Sequence, residues 1–155
     1  KKTAALFAAC AEAGARSAHS SDEMAKKAYL LGEMIGISFQ IKDDIFDYYP
    51  STEIGKPTAN DMREGKLTLP ALYVLNNTND EKIKNLAFRI RSLEATKEEI
   101  DGFIDYVKKN GGMEYARTKM IEYRNKALDL LPPQTSLPLR EALAAYIDYV
   151  IERDN

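Results

Sequence analysis

The chain has 155 residues, of which 45% are hydrophobic and 30% charged, a composition that suits a globular domain and excludes a disordered tail. Its formal charge of −2 excludes the basic field by which proteins bind nucleic acid or anionic membranes. A single cysteine excludes an internal disulfide framework, and no apolar run approaches the ~18 residues that span a bilayer. We therefore expect a cytoplasmic protein without a transmembrane segment or a nucleic-acid partner.

The first two predicted elements are helices. Small apolar side chains at helical spacing predict a closely packed helix over residues 1–18. In the sequence HSSDE, Ser20 is the predicted N-cap and Glu23 its partner in a capping box, so a second helix is expected over Asp22–Tyr48, ended by Pro50. Because the chain opens inside a helical pattern and without methionine, we expect it to be part of a longer protein.

Residues 50–65 contain two prolines and two glycines among polar side chains, which predicts a long irregular loop of the kind that is often functional. Further helices are predicted by the apolar spacing downstream, and Thr96 with Glu99 forms another capping pair. These segments begin KLTLPALYVLNN, DEKIKNLAFRIRS, TKEEIDGFIDYVKKN, MEYARTKMIEYRNK and LPLREALAAYIDYV. No segment has the pattern of a strand, so the predicted fold class is all-α.

Four polar side chains share one face of the second helix, since Gln40, Asp43, Asp44 and Asp47 fall within an arc of roughly 100°. A solvated acidic surface would explain a D-D-x-x-D pattern taken alone. The flanks are apolar, however, and the aspartates lie at the C-terminal end of the helix, where the macrodipole disfavours negative charge by roughly 0.3–1 kcal/mol. Burying unpaired carboxylates would cost several kcal/mol, so water or cations must relieve their repulsion.

Carboxylate ligands without histidine or cysteine favour magnesium, with manganese as the second choice. Magnesium keeps several waters and usually needs a further anion, typically a phosphate, to complete its coordination shell. Basic side chains that could meet such a phosphate are grouped nearby in the sequence or on the first helix: Lys1, Lys2, Lys42, Lys56, Arg63 and Lys66. The residues therefore favour a site for magnesium and a diphosphate.

Three motifs, in this order, resemble those of the trans-isoprenyl diphosphate synthases, also called polyprenyl synthetases, and in particular the bacterial polyprenyl and octaprenyl diphosphate synthases. They are KKTAALF, FQIKDDIFDYY and GKPTANDMREGKLTLP. The segment from GGMEYA onward is similar to the family's C-terminal helices. The resemblance implies that residues 1–155 form a single all-helical segment, the C-terminal portion of an isoprenoid-synthase-type helical bundle.

The resemblance implies a metal site in which Asp43 binds magnesium directly, while Asp44 and Asp47 support it directly or through water. It also implies a reaction. Diphosphate leaves an allylic prenyl diphosphate with the help of magnesium, and isopentenyl diphosphate then attacks the resulting cation in a head-to-tail, trans condensation. The family further implies a homodimer.

The substrate contacts also follow from the resemblance. Lys2 and Lys56 would hold the allylic diphosphate, and Lys66 would lie at the closing end of the site. Thr3 and Gln40 would lie beside the growing chain and the developing cation. The catalytic residues implied are thus Lys2, Thr3, Gln40 and Lys56, and the diphosphate-binding residues are Lys2, Lys56 and Lys66.

Family members are considerably longer, and their N-terminal part carries the first aspartate-rich motif and most of the isopentenyl diphosphate site. We therefore expect residues 1–155 alone to be inactive. Two rival functions are a terpene cyclase, which usually lacks the Gly-Lys and Glu-Gly-Lys-x-Thr-Leu-Pro segments, and a non-catalytic subunit of a heteromeric prenyl synthase, which often loses acidic ligands. A third alternative, a plain metal-binding bundle, would carry Glu-x-x-His pairs, which this sequence lacks.

The single cysteine, Cys10, lies in the alanine-rich first segment, and its side chain is expected in the core.

Overall fold

The computed structural model describes residues 2–49 and 59–152, and within these ranges every regular element is an α-helix. The all-α prediction is confirmed. None of the helices in these ranges combines the length and the apolar character that crossing a bilayer requires. In chain order the helices are α1 (Lys2–Ser17), α2 (Asp22–Phe46), α3 (Asn60–Arg63), α4 (Leu69–Asn77), α5 (Glu81–Arg91), α6 (Lys97–Lys109), α7 (Gly112–Asp129) and α8 (Leu137–Glu152).

The start of α2 corrects the predicted cap. The Oγ atom of Ser21, not of Ser20, accepts a hydrogen bond from the backbone N–H of Met24, at 3.3 Å. Ser20 instead donates its hydroxyl to the Ser21 carbonyl, at 3.5 Å. The capping box is wrong for a geometric reason: Ser21 directly precedes the first helical residue, so its side chain reaches the third amide of the helix. Glu23 pairs with Lys27 one turn later.

The region predicted as one irregular loop contains a short helix. Residues 50–58, and with them Pro50, lie outside the described part of the chain. The described chain resumes at Ala59, which has a φ of 64°. The four-residue helix α3 begins at the next residue. The helix α2 ends at Phe46, two residues before the predicted end, and continues into a turn in which Tyr49 N–H donates to the Phe46 carbonyl at 2.9 Å.

Residue contacts divide the described chain into two compact units. The first contains the described residues of Lys1–Lys42 and Lys119–Asp154, and the second those of Asp43–Thr118. The helices α2 and α7 each begin in one unit and end in the other. The expectation of a single helical segment stays a prediction.

In the first unit, α1 lies very close to α2 because small residues face each other. A Cβ atom added to Gly32 would lie 2.5 Å from the carbonyl oxygen of Phe7, and one added to Gly36 would lie 2.6 Å from the Cα atom of Ala4. Ala8 is fully buried in this contact. Cys10 lies two residues further on, about 200° around the helix, and is exposed, so its predicted core position is wrong.

Apolar side chains form the core of the first unit, and one buried hydroxyl is hydrogen-bonded within it. Its core centres on Ile35, Ala127 and Ile147, which come from α2, α7 and α8. The fully buried Ser38 donates its hydroxyl to the Met120 carbonyl at 3.0 Å, so this polar group is satisfied without water.

The second unit is built around α6. Phe103 and Val107 are fully buried there, and they share the core with Val74 of α4 and Ile90 of α5. The predicted capping box at the start of α6 is confirmed, since Thr96 and Glu99 exchange hydrogen bonds of 2.8 and 3.3 Å.

Candidate functional site

Asp47, just after α2, joins the end of that helix to the start of α3. Its Oδ1 accepts a hydrogen bond from the Asn60 amide at 2.9 Å, and its Oδ2 accepts one from the Asp61 amide at 3.1 Å. The Asp47 carbonyl accepts a third bond, from the Ala59 amide at 2.9 Å. Burial raises the pKa of the Asp47 carboxyl above its ordinary value, and the amides of Asp61 and Asn60 lower it by less.

The side chain of Asp44, near the end of α2, approaches the start of α4. Its Oδ2 is 3.5 Å from the amide of Leu69, the first residue of α4. The N-cap residue of α4, Thr68, makes no side-chain capping bond of its own. A carboxylate in this position satisfies an unpaired amide and is favoured by the helix dipole. Two of the three predicted metal ligands therefore also bind the backbone of the segment that follows them.

Tyr48, between the aspartates and α4, is a site feature that the sequence does not reveal. It is 2% exposed, and its hydroxyl has no hydrogen bond of normal geometry to any residue that the structure describes. Burial raises the pKa of Tyr48, while the nearby Thr68 side chain and Ala71 amide lower it by less. The only sequence signal for this residue is its position next to Asp47 in an otherwise helical pattern.

Lys66 follows α3 in the second unit and is held by its neighbours. Its amide donates to the Asp61 carbonyl at 2.7 Å, and its Nζ atom lies 3.7 Å from the Asp61 carboxylate. Nζ also pairs with Glu64, and this pairing raises the pKa of Lys66 above its ordinary value. The side chain is 60% exposed, so Lys66 can still exchange these partners for an anionic ligand.

The predicted substrate-binding residues other than Lys66 lie in the first unit or outside the described part. Lys2 is exposed and Thr3 half-buried at the start of α1. Gln40 is half-buried on α2 and lines a mostly apolar cavity of about 400 Å³. Other residues lining this cavity are Ala4, Ala5, Glu33, Ile37 and Ile41. Lys56 lies outside the described residues.

The donor set bears on which metal could bind. Within residues 2–49 and 59–152, no three aspartate, glutamate, histidine or cysteine side chains converge closely enough to hold a metal ion. A full protein cage is thus absent from this part of the chain. Asp43 and Asp44 are adjacent half-buried carboxylates near the end of α2. Magnesium is usually bound by one or two carboxylates, with water and substrate phosphates as the other ligands, so this pair fits it.

Comparison with known proteins agrees with the resemblance to the polyprenyl synthetases. The chain matches the polyprenyl synthetase family over residues 1–107. It is 54% identical to geranylgeranyl pyrophosphate synthase from Bacteroides thetaiotaomicron, whose crystal structure superposes with a TM-score of 0.91 over 97% of this chain and 50% of that one. It is also 35% identical to heptaprenyl diphosphate synthase component 2 from Geobacillus stearothermophilus, covering 99% of this chain and 47% of the relative.

A third relative, geranylfarnesyl diphosphate synthase from Aeropyrum pernix, is 31% identical over 98% of this chain and 48% of its own. The chain therefore has the helical fold of the isoprenyl diphosphate synthases. It belongs to the polyprenyl synthetase family, and the resemblance of its three motifs is confirmed. The chain spans about half the length of the curated relatives it matches.

Proposed function

We propose that the protein containing this chain is a prenyltransferase that condenses an allylic prenyl diphosphate with isopentenyl diphosphate, head to tail and in the trans configuration. The observation that carries the proposal is the match to the polyprenyl synthetase family over residues 1–107, because that range includes every predicted site residue. The relatives named above are all prenyl diphosphate synthases, although they differ in the product that their names state.

The proposed chemistry needs stabilisation of the negative charge that develops on the departing diphosphate. Asp43 and Asp44 would hold magnesium, or manganese in its place, which supplies positive charge to the diphosphate oxygens. Lys2 and Lys56 would bind the same diphosphate. Lys66 would close the site, since its exposed ammonium group is already positioned by Asp61.

The allylic cation that remains has to be protected from water until isopentenyl diphosphate attacks it. Gln40 suits a place beside it, because this residue lines a mostly apolar cavity. Thr3 would lie near the same reacting chain. No nucleophilic side chain is required, because the attacking electrons come from the double bond of the second substrate. The cation formed by this attack loses a proton and so gives the lengthened prenyl diphosphate.

We further propose a cytoplasmic homodimer for the whole protein and no turnover by residues 1–155 alone. One observation favours a second possibility, a subunit of a heteromeric synthase. A relative is named component 2 of a heptaprenyl diphosphate synthase, so that protein works with another component. Retention of all three aspartates favours the catalytic role over a non-catalytic one.

Calorimetry of the 155-residue chain tests the proposed site. We expect inorganic pyrophosphate to tighten magnesium binding at least about tenfold, because the phosphate oxygens complete the coordination shell. The variant D43N should lose this coupling, whereas D101N, on the exposed face of α6, should keep it. An equal magnesium affinity with and without pyrophosphate would contradict the proposal. Incorporation of labelled isopentenyl diphosphate by this chain would overturn the expected inactivity.

A further inference from the structure

We propose that Asp47 is a positioning residue and not a metal ligand: its carboxylate fixes residues 59–66, and with them Lys66, against the end of α2. The inference rests on the proposed function in one respect, namely that Lys66 binds a diphosphate. The placement of residues 59–66 by Asp47 is independent of that function.

The first step concerns the two oxygens of the Asp47 carboxylate. Each accepts a backbone N–H, from Asn60 at 2.9 Å and from Asp61 at 3.1 Å. Each oxygen keeps a second lone pair, but a metal bound there would compete with the two amides for the orientation of the carboxylate. Rotation of the carboxylate toward a metal would leave the part-buried Asp61 amide unsatisfied, so metal coordination by Asp47 would be opposed by the loss of this bond.

The second step concerns what α3 needs. A helix of four residues is too short to be stable alone, because nucleation fixes several dihedral angles for one hydrogen bond. Its N-cap residue, Ala59, has no polar side chain and makes no side-chain capping bond. It also has a φ of 64°, which is unfavourable for a residue with a Cβ atom. Asp47 therefore supplies from outside the cap that α3 lacks.

The third step links α3 to Lys66. Asp61 makes a backbone bond on each side. Its amide donates to the Asp47 carboxylate, and its carbonyl accepts a hydrogen bond from the Lys66 amide at 2.7 Å. Its carboxylate lies 3.7 Å from the Lys66 Nζ atom. Met62, 2% exposed, anchors the same turn in the core of the second unit. Asp61 therefore connects the two residues: its amide binds the Asp47 carboxylate, and its carbonyl binds the Lys66 amide.

Two measurements on the 155-residue chain test the inference. The first is hydrogen exchange by NMR at the Asn60 and Asp61 amides. D47A should speed their exchange at least about tenfold, while D47N, which keeps one acceptor oxygen, should have a smaller effect. D43N is the matched control and should leave both rates unchanged. Unchanged exchange in D47A would overturn the inference. If D47A does not fold, D47N carries the same test.

The second measurement separates positioning from metal binding. Binding of Mn²⁺ alone, followed by electron paramagnetic resonance, should stay within about twofold in D47N and be lost in D43N. Loss of Mn²⁺ binding in D47N to the same degree would overturn the inference.

Pyrophosphate affinity then tests the route through Lys66. In a double-mutant cycle, D47N should weaken pyrophosphate binding in the parent chain and have no further effect in K66A. Additive effects would contradict action through Lys66. If the parent chain bound neither Mn²⁺ nor pyrophosphate, the proposed function would fail, and amide exchange would still decide whether Asp47 positions residues 59–66.

Discussion

The guanidinium of Arg124 binds both carboxylate oxygens of Asp148, with Nε–Oδ1 and Nη2–Oδ2 distances of 2.7 Å, and so joins α7 to α8 in the first unit. The two side chains are 27% and 30% exposed, which protects the pair partly from screening by water. A planar guanidinium matches a carboxylate in this two-bond geometry, and a lysine ammonium does not.

We therefore expect R124K to destabilise the fold although it keeps the charge. The loss should be about 0.5–1.5 kcal/mol, the net value of a typical hydrogen bond, measured by urea denaturation followed by circular dichroism. R16K is the matched control, because the ion pairs of Arg16 with Glu12 and Asp22 are more exposed and should matter less. Equal losses in the two variants would contradict this expectation.

Gly32 should tolerate no side chain. A Cβ atom there would lie 2.5 Å from the Phe7 carbonyl oxygen and 2.9 Å from the Ala8 Cα atom, and both are backbone atoms that move only with α1. We expect G32A to cost about 1–3 kcal/mol, the usual range for an overpacked core. Thermal unfolding would measure the loss.

The control for Gly32 is Gly14, which also lies inside a helix but has nothing within 4 Å of an added Cβ atom. G14A should stabilise the chain by about 0.4–1 kcal/mol, because alanine loses less backbone entropy on folding. A stabilising G32A would show that α1 and α2 are not packed as closely as described, and a strongly destabilising G14A would show that the surroundings of Gly14 are not open.

Most helices of the described chain follow from sequence alone, because apolar spacing and caps are local signals. Thr96 and Glu99 predict the start of α6 correctly, since a capping box involves only residues three positions apart. Cys10 shows where such reasoning fails. An alanine-rich helix has no strong apolar face, so its buried side is decided by the glycines of α2 and not by its own pattern.

For the candidate site, the sequence predicts the residue types but not their arrangement. The spacing of Asp43, Asp44 and Asp47 places them on one face, which favours a shared role. The hydrogen bonds from Asn60 to Asp47 and from Leu69 to Asp44 join residues 13 and 25 positions apart, so no helical periodicity reveals them. The short helix α3 escapes prediction for the same reason, because its cap comes from another element.

The cap of α2 offers a matched pair of adjacent serines. S21A should destabilise the chain by about 0.5–2 kcal/mol, because it removes the oxygen that accepts the Met24 amide. S20A should have little effect, since the Ser20 hydroxyl only donates to the neighbouring carbonyl. Chemical denaturation of both variants would measure the difference. A larger loss in S20A than in S21A would restore Ser20 as the cap.

Glu122 on α7 should titrate far below an ordinary glutamate. Its two oxygens pair with Lys119 at 2.6 Å and Lys126 at 2.7 Å, and these pairs lower its pKa from 4.5 to about 2. Since the folded pKa is depressed, the stabilising effect is present above pH 4.5 and is lost as the pH falls toward 2. The side chain is solvent-accessible, so the effect on stability should be small, and E122Q should remove this contribution to the pH dependence of stability.

NMR titration of the Glu122 carboxyl carbon measures the pKa directly, and 1 M salt should raise this pKa by screening the two lysines. A midpoint near 4.5 at low salt, or one that salt leaves unchanged, would show that the two lysines do not hold this carboxylate in solution.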